Sequence, residues 1–177
     1  MIRDLMKFKI DWKLLSLSLG IVVLDQTTKI LTKHVMILGH SRKILGNFLR
    51  YTYIENTGMA FGIHVGSQLF FAIFSVLASL VIFFYLIRAR DEKPIVRFSL
   101  ALILGGAIGN LIDRIFLGAV VDFIDIGFGS LRWYVFNLAD TFVSIGMILL
   151  ITAILLRKEE TDNMSEESHT QLPAEQR

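Results

Sequence analysis

"GNLIDRIFLGAVVDFIDIG", residues 109–127, follows an almost unbroken apolar run. Asp113, Asp122 and Asp125 stand where the chain leaves that run, and Asp140, in "FNLAD", lies just inside the next one. A run of about 20 apolar residues is enough to cross a bilayer. Carboxylates beside lipid are costly, so four of them here require either partners or a task.

Outward from this stretch the chain repeats the same pattern. It has 177 residues, 54% of them hydrophobic, and a mean hydropathy of +0.60. A soluble domain is about 45–50% apolar, and here the excess is gathered into runs. Four spans are expected: between Lys13 and Lys33, and over about Leu69–Ile87, Ile95–Ile112 and Phe136–Leu156. No small-x-small cleavage site follows the first, so it reads as an uncleaved span. Four spans place both termini on one side. Arg3, Lys7, Lys9 and Lys13 precede the first span, Arg88, Arg90, Lys93 and Arg97 join the second to the third, and Arg157 and Lys158 follow the fourth. By the positive-inside rule that side is cytoplasmic. The other loops carry Lys33, Arg42, Lys43, Arg50 and Arg132 over longer stretches.

The expected fold is therefore an all-α membrane protein, a four-transmembrane-helix bundle with a small extramembrane β-sheet on its outer face. The sheet is expected from "FLRYTYIE" (48–55), as one or two short strands, and from the extended piece "LRWYVF" (131–136). "NTGMAFGI" reads as a turn at Asn56–Gly58. Residues 1–158 form the membrane domain. The acidic stretch 159–177 reads as a disordered cytoplasmic tail, too polar to offset its ordering entropy.

Composition excludes several kinds of chemistry. There is no cysteine, and His34, His40, His64 and His169 lack close metal-ligand spacing. The net charge of +2 is spread around apolar runs, which does not suit nucleic acid. No glycine-rich phosphate loop and no clustered Ser–His pair occurs. Carboxylates remain.

Topology brings the polar groups to one depth. Spans one and three run outward and end in Asp25, Gln26, Lys29 and in Asn110, Asp113, Arg114; span four runs inward and begins with Asn137 and Asp140. Asn56 lies in the loop before span two. The cytoplasmic halves stay apolar. A transporter or proton conductor, the alternative reading, needs a polar route through both leaflets. Asp25 and Lys29 are i, i+4 and can pair. Gly105 and Gly109 form a small-xxx-small seam for a neighbouring helix. Two carboxylates brought together cannot both ionise, so the pair shares a proton, one member acting as base and the other as acid. Glycoside hydrolysis also uses two carboxylates but needs a wider polar cleft. Spacing alone leaves open which two of Asp25, Asp113, Asp122, Asp125 and Asp140 pair, although Asp140 is favoured by its place inside a span.

Five motifs in order resemble those of the lipoprotein signal peptidases (signal peptidase II), the membrane aspartic proteases of bacteria: "DQTTK" (25–29), "NTGMAF" (56–61), "GGAIGNLIDR" (105–114), "VVDFI" (120–124) and "FNLAD" (136–140). The resemblance covers about Leu15 to Leu156. It implies Asp122 and Asp140 as the catalytic pair. It implies Asp25, Lys29, Asn56, Gly58, Asn110, Asp113, Arg114 and Asn137 as residues that support or line the substrate site, with Asp125 a loop carboxylate. It further implies removal of the signal peptide from prolipoproteins, just before a diacylglyceryl-cysteine, at the outer face of the bacterial cytoplasmic membrane. The expected partners are that lipidated substrate and membrane lipids. No metal or cofactor is implied, and a monomer is expected.

Overall fold

The computed structural model describes residues 11–57, 59–60, 63–64 and 68–170. Arg3, Lys7, Lys9, Gly58 and residues 171–177 lie outside them. Among the described residues the chain forms α1 (Trp12–Val35), β1 (Ser41–Leu45), β2 (Leu49–Asn56), β3 (Met59–Ala60), β4 (Ile63–His64), α2 (Gln68–Arg88), α3 (Pro94–Phe116), β5 (Val120–Phe128), β6 (Leu131–Arg132) and α4 (Leu138–Thr170).

Four helical segments are long and apolar enough to cross a membrane: Trp12–Val35, Leu69–Arg88, Pro94–Phe116 and Leu138–Arg157. They agree with the four expected spans, except that α3 runs on to Phe116, past the expected end at Ile112, and so carries Asp113 and Arg114 as helical residues. Its last turn closes when Leu117 N–H donates to the Asp113 carbonyl at 2.8 Å, and Gly118, at φ 73°, turns the chain toward β5.

The hub of the bundle is α3, which packs against the other three helices. Of its apolar window 61% is buried, against 11% for α2, whose Phe74, Val81 and Phe84 stay exposed for lipid. Small residues make this central position possible. A Cβ added to Gly106 would lie 2.4 Å from the Ala139 carbonyl oxygen on α4, and one on Gly109 would lie 2.6 Å from Asp25 Oδ2 on α1. Toward the opposite end of α3, Val96, Leu100 and Leu104 pack with Leu86 and Ala153 in a purely apolar cluster.

At the polar end sits an antiparallel sheet of order β1-β2-β5-β6. It docks on α1 through Met36, Tyr53 and Val121 and through a 2.7 Å hydrogen bond between the Thr32 and Tyr51 hydroxyls. The sheet was expected, but its centre was not. β5, the longest strand, was not anticipated because it is buried on nearly all sides and lacks the alternation that marks a half-exposed strand. Of 131–136 only Leu131–Arg132 forms a named strand, with a bridge from Phe136 to Ile124.

One further correction concerns the tail. Residues 159–170 continue α4 as helix, where disorder was expected from Glu159 onward. An existing helix extends without a new nucleation cost, and Glu159, Glu160, Met164, Glu166 and Glu167 are good helix formers.

Candidate active site

Lys29 is the centre of the polar end. It is 2% exposed, and its ammonium meets three acceptors: Asp25 Oδ2 at 2.8 Å, Asp113 Oδ2 at 3.0 Å and Asn110 Oδ1 at 2.9 Å. Three donors meet three acceptors, which is what a buried ammonium requires. Gln26 closes the cluster by donating to Asp113 Oδ1 and to the Gly109 carbonyl, both at 3.0 Å.

The two carboxylates around Lys29 also grip backbone. Asp25 Oδ1 accepts from Ala139 N–H at 2.9 Å, and Asp113 Oδ2 accepts from Val121 N–H at 3.0 Å. Ala139 immediately precedes Asp140, and Val121 immediately precedes Asp122. The buried ion cluster therefore holds both segments that bear Asp122 and Asp140.

Asp122, on β5, is 2% exposed. Its Oδ1 accepts from Asn137 Nδ2 at 2.7 Å and its Oδ2 from Asn56 Nδ2 at 3.2 Å. Asp140, half-buried in the first turn of α4, accepts from Asn110 Nδ2 at 2.7 Å on Oδ1 and from Asn137 N–H at 3.3 Å on Oδ2. Asn137 Oδ1 in turn accepts from Asp140 N–H at 2.9 Å. This reciprocal pair is a capping box with Asn and Asp in place of Ser and Glu. Burial, and after it the charge of Asp140, pushes the Asp122 carboxyl up to about 7, against the pull of the Asn137 and Asn56 amides.

Both carboxyl groups open onto a groove of about 750 Å³ lined by Asn56, Arg114, Trp133, Tyr134 and, along one face of α4, Thr141, Ser144, Ile145 and Ile148. Arg114 donates to Ser75 Oγ at 3.2 Å and lies within electrostatic reach of Asp113, Asp122 and Asp140. A second, almost wholly apolar pocket of about 580 Å³ lies beside the β5–β6 hairpin, between Phe128, Leu131 and Trp133.

Asp25, Lys29, Asn110, Asp113, Asn137, Asn56, Asp122 and Asp140 thus form one connected network, with Arg114 beside it. Gly58 lies outside the described residues. Asp125 is not in a loop, as expected, but on β5, where its side chain meets Arg132 Nε at 2.7 Å and Thr52 Oγ1 at 2.8 Å. Sequence reading missed Ser75, and missed Thr141 and Ser144 as part of the groove. The latter two were legible as a polar stripe continuing down α4 from Asp140.

A model of the signal peptidase (SPase) II family matches residues 17–156, most of the chain. The chain belongs to the signal peptidase II family. Among its relatives, a lipoprotein signal peptidase of Syntrophus aciditrophicus is 39% identical over 79% of this chain and 90% of its own length. One from Caldanaerobacter subterraneus subsp. tengcongensis is 45% identical over 73% and 87%. One from Staphylococcus aureus is 34% identical over 85% and 90%. A solved bacterial membrane enzyme superposes with a TM-score of 0.77 at 31% identity, covering 85% of this chain and 92% of that one. Membership of the signal peptidase II family makes the chain a protease and, with its four spans, a bacterial membrane protein. The transporter alternative is not favoured.

Proposed function

We propose that this signal peptidase works as an aspartic endopeptidase in which Asp122 and Asp140 share one proton and hydrolyse the bond joining a signal peptide to a prolipoprotein. The observation that carries the reading is that both carboxyl groups open onto one groove and are bridged by one residue, Asn137, whose side-chain amide donates to Asp122 and whose backbone N–H donates to Asp140. An ionised carboxylate draws a proton from water, hydroxide adds to the scissile carbonyl carbon, and the neutral partner donates its proton to the carbonyl oxygen. At a membrane rim the low dielectric strengthens this division of charge.

The groove suits a substrate that is part lipid. Its polar floor holds the acid–base pair, while Ile145 and Ile148 on α4 and Trp133 near β6 offer apolar walls. We assign it the signal helix and the diacylglyceryl-cysteine that follows the cut. Basic residues around the opposite end of the bundle support cytoplasmic termini and a site at the outer face of the membrane. Residues 1–158 suffice for this peptidase unit, and a monomer contains every residue named.

The test replaces Asp122 or Asp140 by Asn, checks folding by thermal unfolding, and measures cleavage of a diacylglyceryl-modified precursor. Turnover is expected to fall by about 10²–10⁴-fold in each variant. Near-normal turnover in either one would defeat the assignment.

A further inference from the structure

The two carboxyl groups are not equivalent, and the inequality is built into the amides around them. Lys29 can only donate, so the atom of Asn110 that faces it at 2.9 Å is the oxygen. Asn110 must therefore turn its NH₂ group toward Asp140 Oδ1. Asn137 is oriented just as firmly. Its oxygen accepts from Asp140 N–H, so its NH₂ group faces Asp122 Oδ1 and Asn110 Oδ1.

Asp140 thereby has a side-chain N–H on one oxygen and a backbone N–H on the other, in the first turn of a helix. All three features favour its charged form: the donors bind an anion better than an acid, and the helix N-terminus carries partial positive charge. Asp122 stands on a strand, with no helix dipole behind it. It is 2% exposed where Asp140 is only half-buried, and its second donor, Asn56, sits farther away at 3.2 Å. The other charged groups around the pair are Lys29 and Asp25 on α1, Asp113 and Arg114 on α3, and Glu55 at the rim on β2. Lys29 reaches Asp140 through Asn110 directly, and Asp122 only through Asn137 as well.

Resting on the acid–base pair assigned above, we propose that Asp140 is the ionised base and Asp122 the proton-carrying acid, and that Asn110 and Asn137 are positioning residues that enforce this division. The elevated Asp122 carboxyl agrees with it. In the first step Asp140 takes a proton from water, the hydroxide oxygen bonds to the carbonyl carbon, and Asp122 gives its proton to the carbonyl oxygen. The product is a neutral gem-diol facing a protonated Asp140 and an ionised Asp122. In the second step Asp140 returns its proton to the amide nitrogen, Asp122 recovers one from a gem-diol hydroxyl, and the C–N bond breaks. The starting protonation states are restored.

The test is the shape of the pH–rate profile for kcat/KM with a diacylglyceryl-modified precursor. Asn110→Ser removes a donor that stabilises ionised Asp140. It should move the acidic limb toward neutral by about one pH unit and leave the alkaline limb in place. Asn56→Ser removes a donor to Asp122 and should move only the alkaline limb, outward by a similar amount. Exchange of these two effects, or equal movement of both limbs in each variant, overturns the proposal. Turnover surviving in Asp122→Asn or Asp140→Asn would instead overturn the underlying pair. Should Asn110→Ser fail to fold, infrared spectra of the carboxylic acid C=O stretch decide the matter. A band titrating near neutral pH should vanish in Asp122→Asn and survive in Asp140→Asn, shifted to lower pH. Its survival in Asp122→Asn sinks the assignment.

Discussion

Two pairs of aspartates lie side by side at the polar end of the bundle. Asp25 and Asp113 share the Lys29 ammonium, while among the described residues Asp122 and Asp140 accept from amide N–H groups, with Arg114 in electrostatic reach. All four sit near lipid, yet their partners differ in kind. A cation at about 3 Å offsets part of the desolvation cost of a buried carboxylate, which here also accepts from a backbone N–H. Amide donors stabilise a charge without neutralising it, so the proton stays free to move. The first pair bonds backbone N–H groups of Ala139 and Val121 and places the second, the pair proposed above for the chemistry.

Removing the cation tests this contrast most severely. Lys29→Met leaves Asp25 and Asp113 buried without a counter-charge, and a broken buried pair costs about 3–5 kcal/mol. Thermal unfolding in detergent should show a large drop, with activity lost alongside. Asp25→Asn and Asp113→Asn added to Lys29→Met should recover much of that stability, because the whole cluster is then neutral. Asp140→Asn, by contrast, should cut turnover by about 10²–10⁴-fold while unfolding near the parent temperature. A Lys29→Met protein that melts like the parent would erase the distinction between the pairs.

How much of this could be read beforehand follows the same physics. The four spans were legible because lipid-facing helices need apolar residues all round. The shared depth of Asp25, Asp113 and Asp140 followed from topology, and the Asp25–Lys29 pair from its i, i+4 spacing. The grip of Asp25 on Ala139 was not legible: it joins α1 to α4 across a gap that exists only because Gly106 and Gly109 let the helices close up. β5 was hidden because burial on both faces removes the period-2 signal. The choice of Asp122 over Asp125 rested on resemblance, since two aspartates three residues apart in one strand look alike until their partners are known.

Asp122 also makes a prediction about stability and pH. Its carboxyl sits near 7 in the folded chain and near 4 when unfolded, so the folded state holds a proton that the unfolded state has already lost. Its contribution is full below pH 4 and is lost as pH rises through about 7, at about 1.4 kcal/mol per unit in between. Asp122→Asn has no proton to lose. Relative to the parent it should gain stability steadily from pH 4 to 7 and not beyond, as read by unfolding temperature. A difference independent of pH would mean that Asp122 is not held neutral by its surroundings, and the contrast with Asp25 and Asp113 would fail.

The smallest effect is expected at Asp125, and it sharpens the comparison within one strand. Asp125 lies three residues from Asp122, so the alternation of β5 turns the two to opposite faces. Its partner is a cation, Arg132, which donates both to its Oδ1 and, at 2.9 Å, to its backbone carbonyl. By the logic of the ion cluster that makes Asp125 structural. Asn at this position can still accept from Arg132 and Thr52, so Asp125→Asn should cost about 1 kcal/mol of stability and leave kcat/KM within about twofold of the parent. A fall in turnover comparable to that of Asp122→Asn would show that a cation partner does not mark the idle carboxylates in this chain. The active pair would then have to be sought on the other face of the sheet.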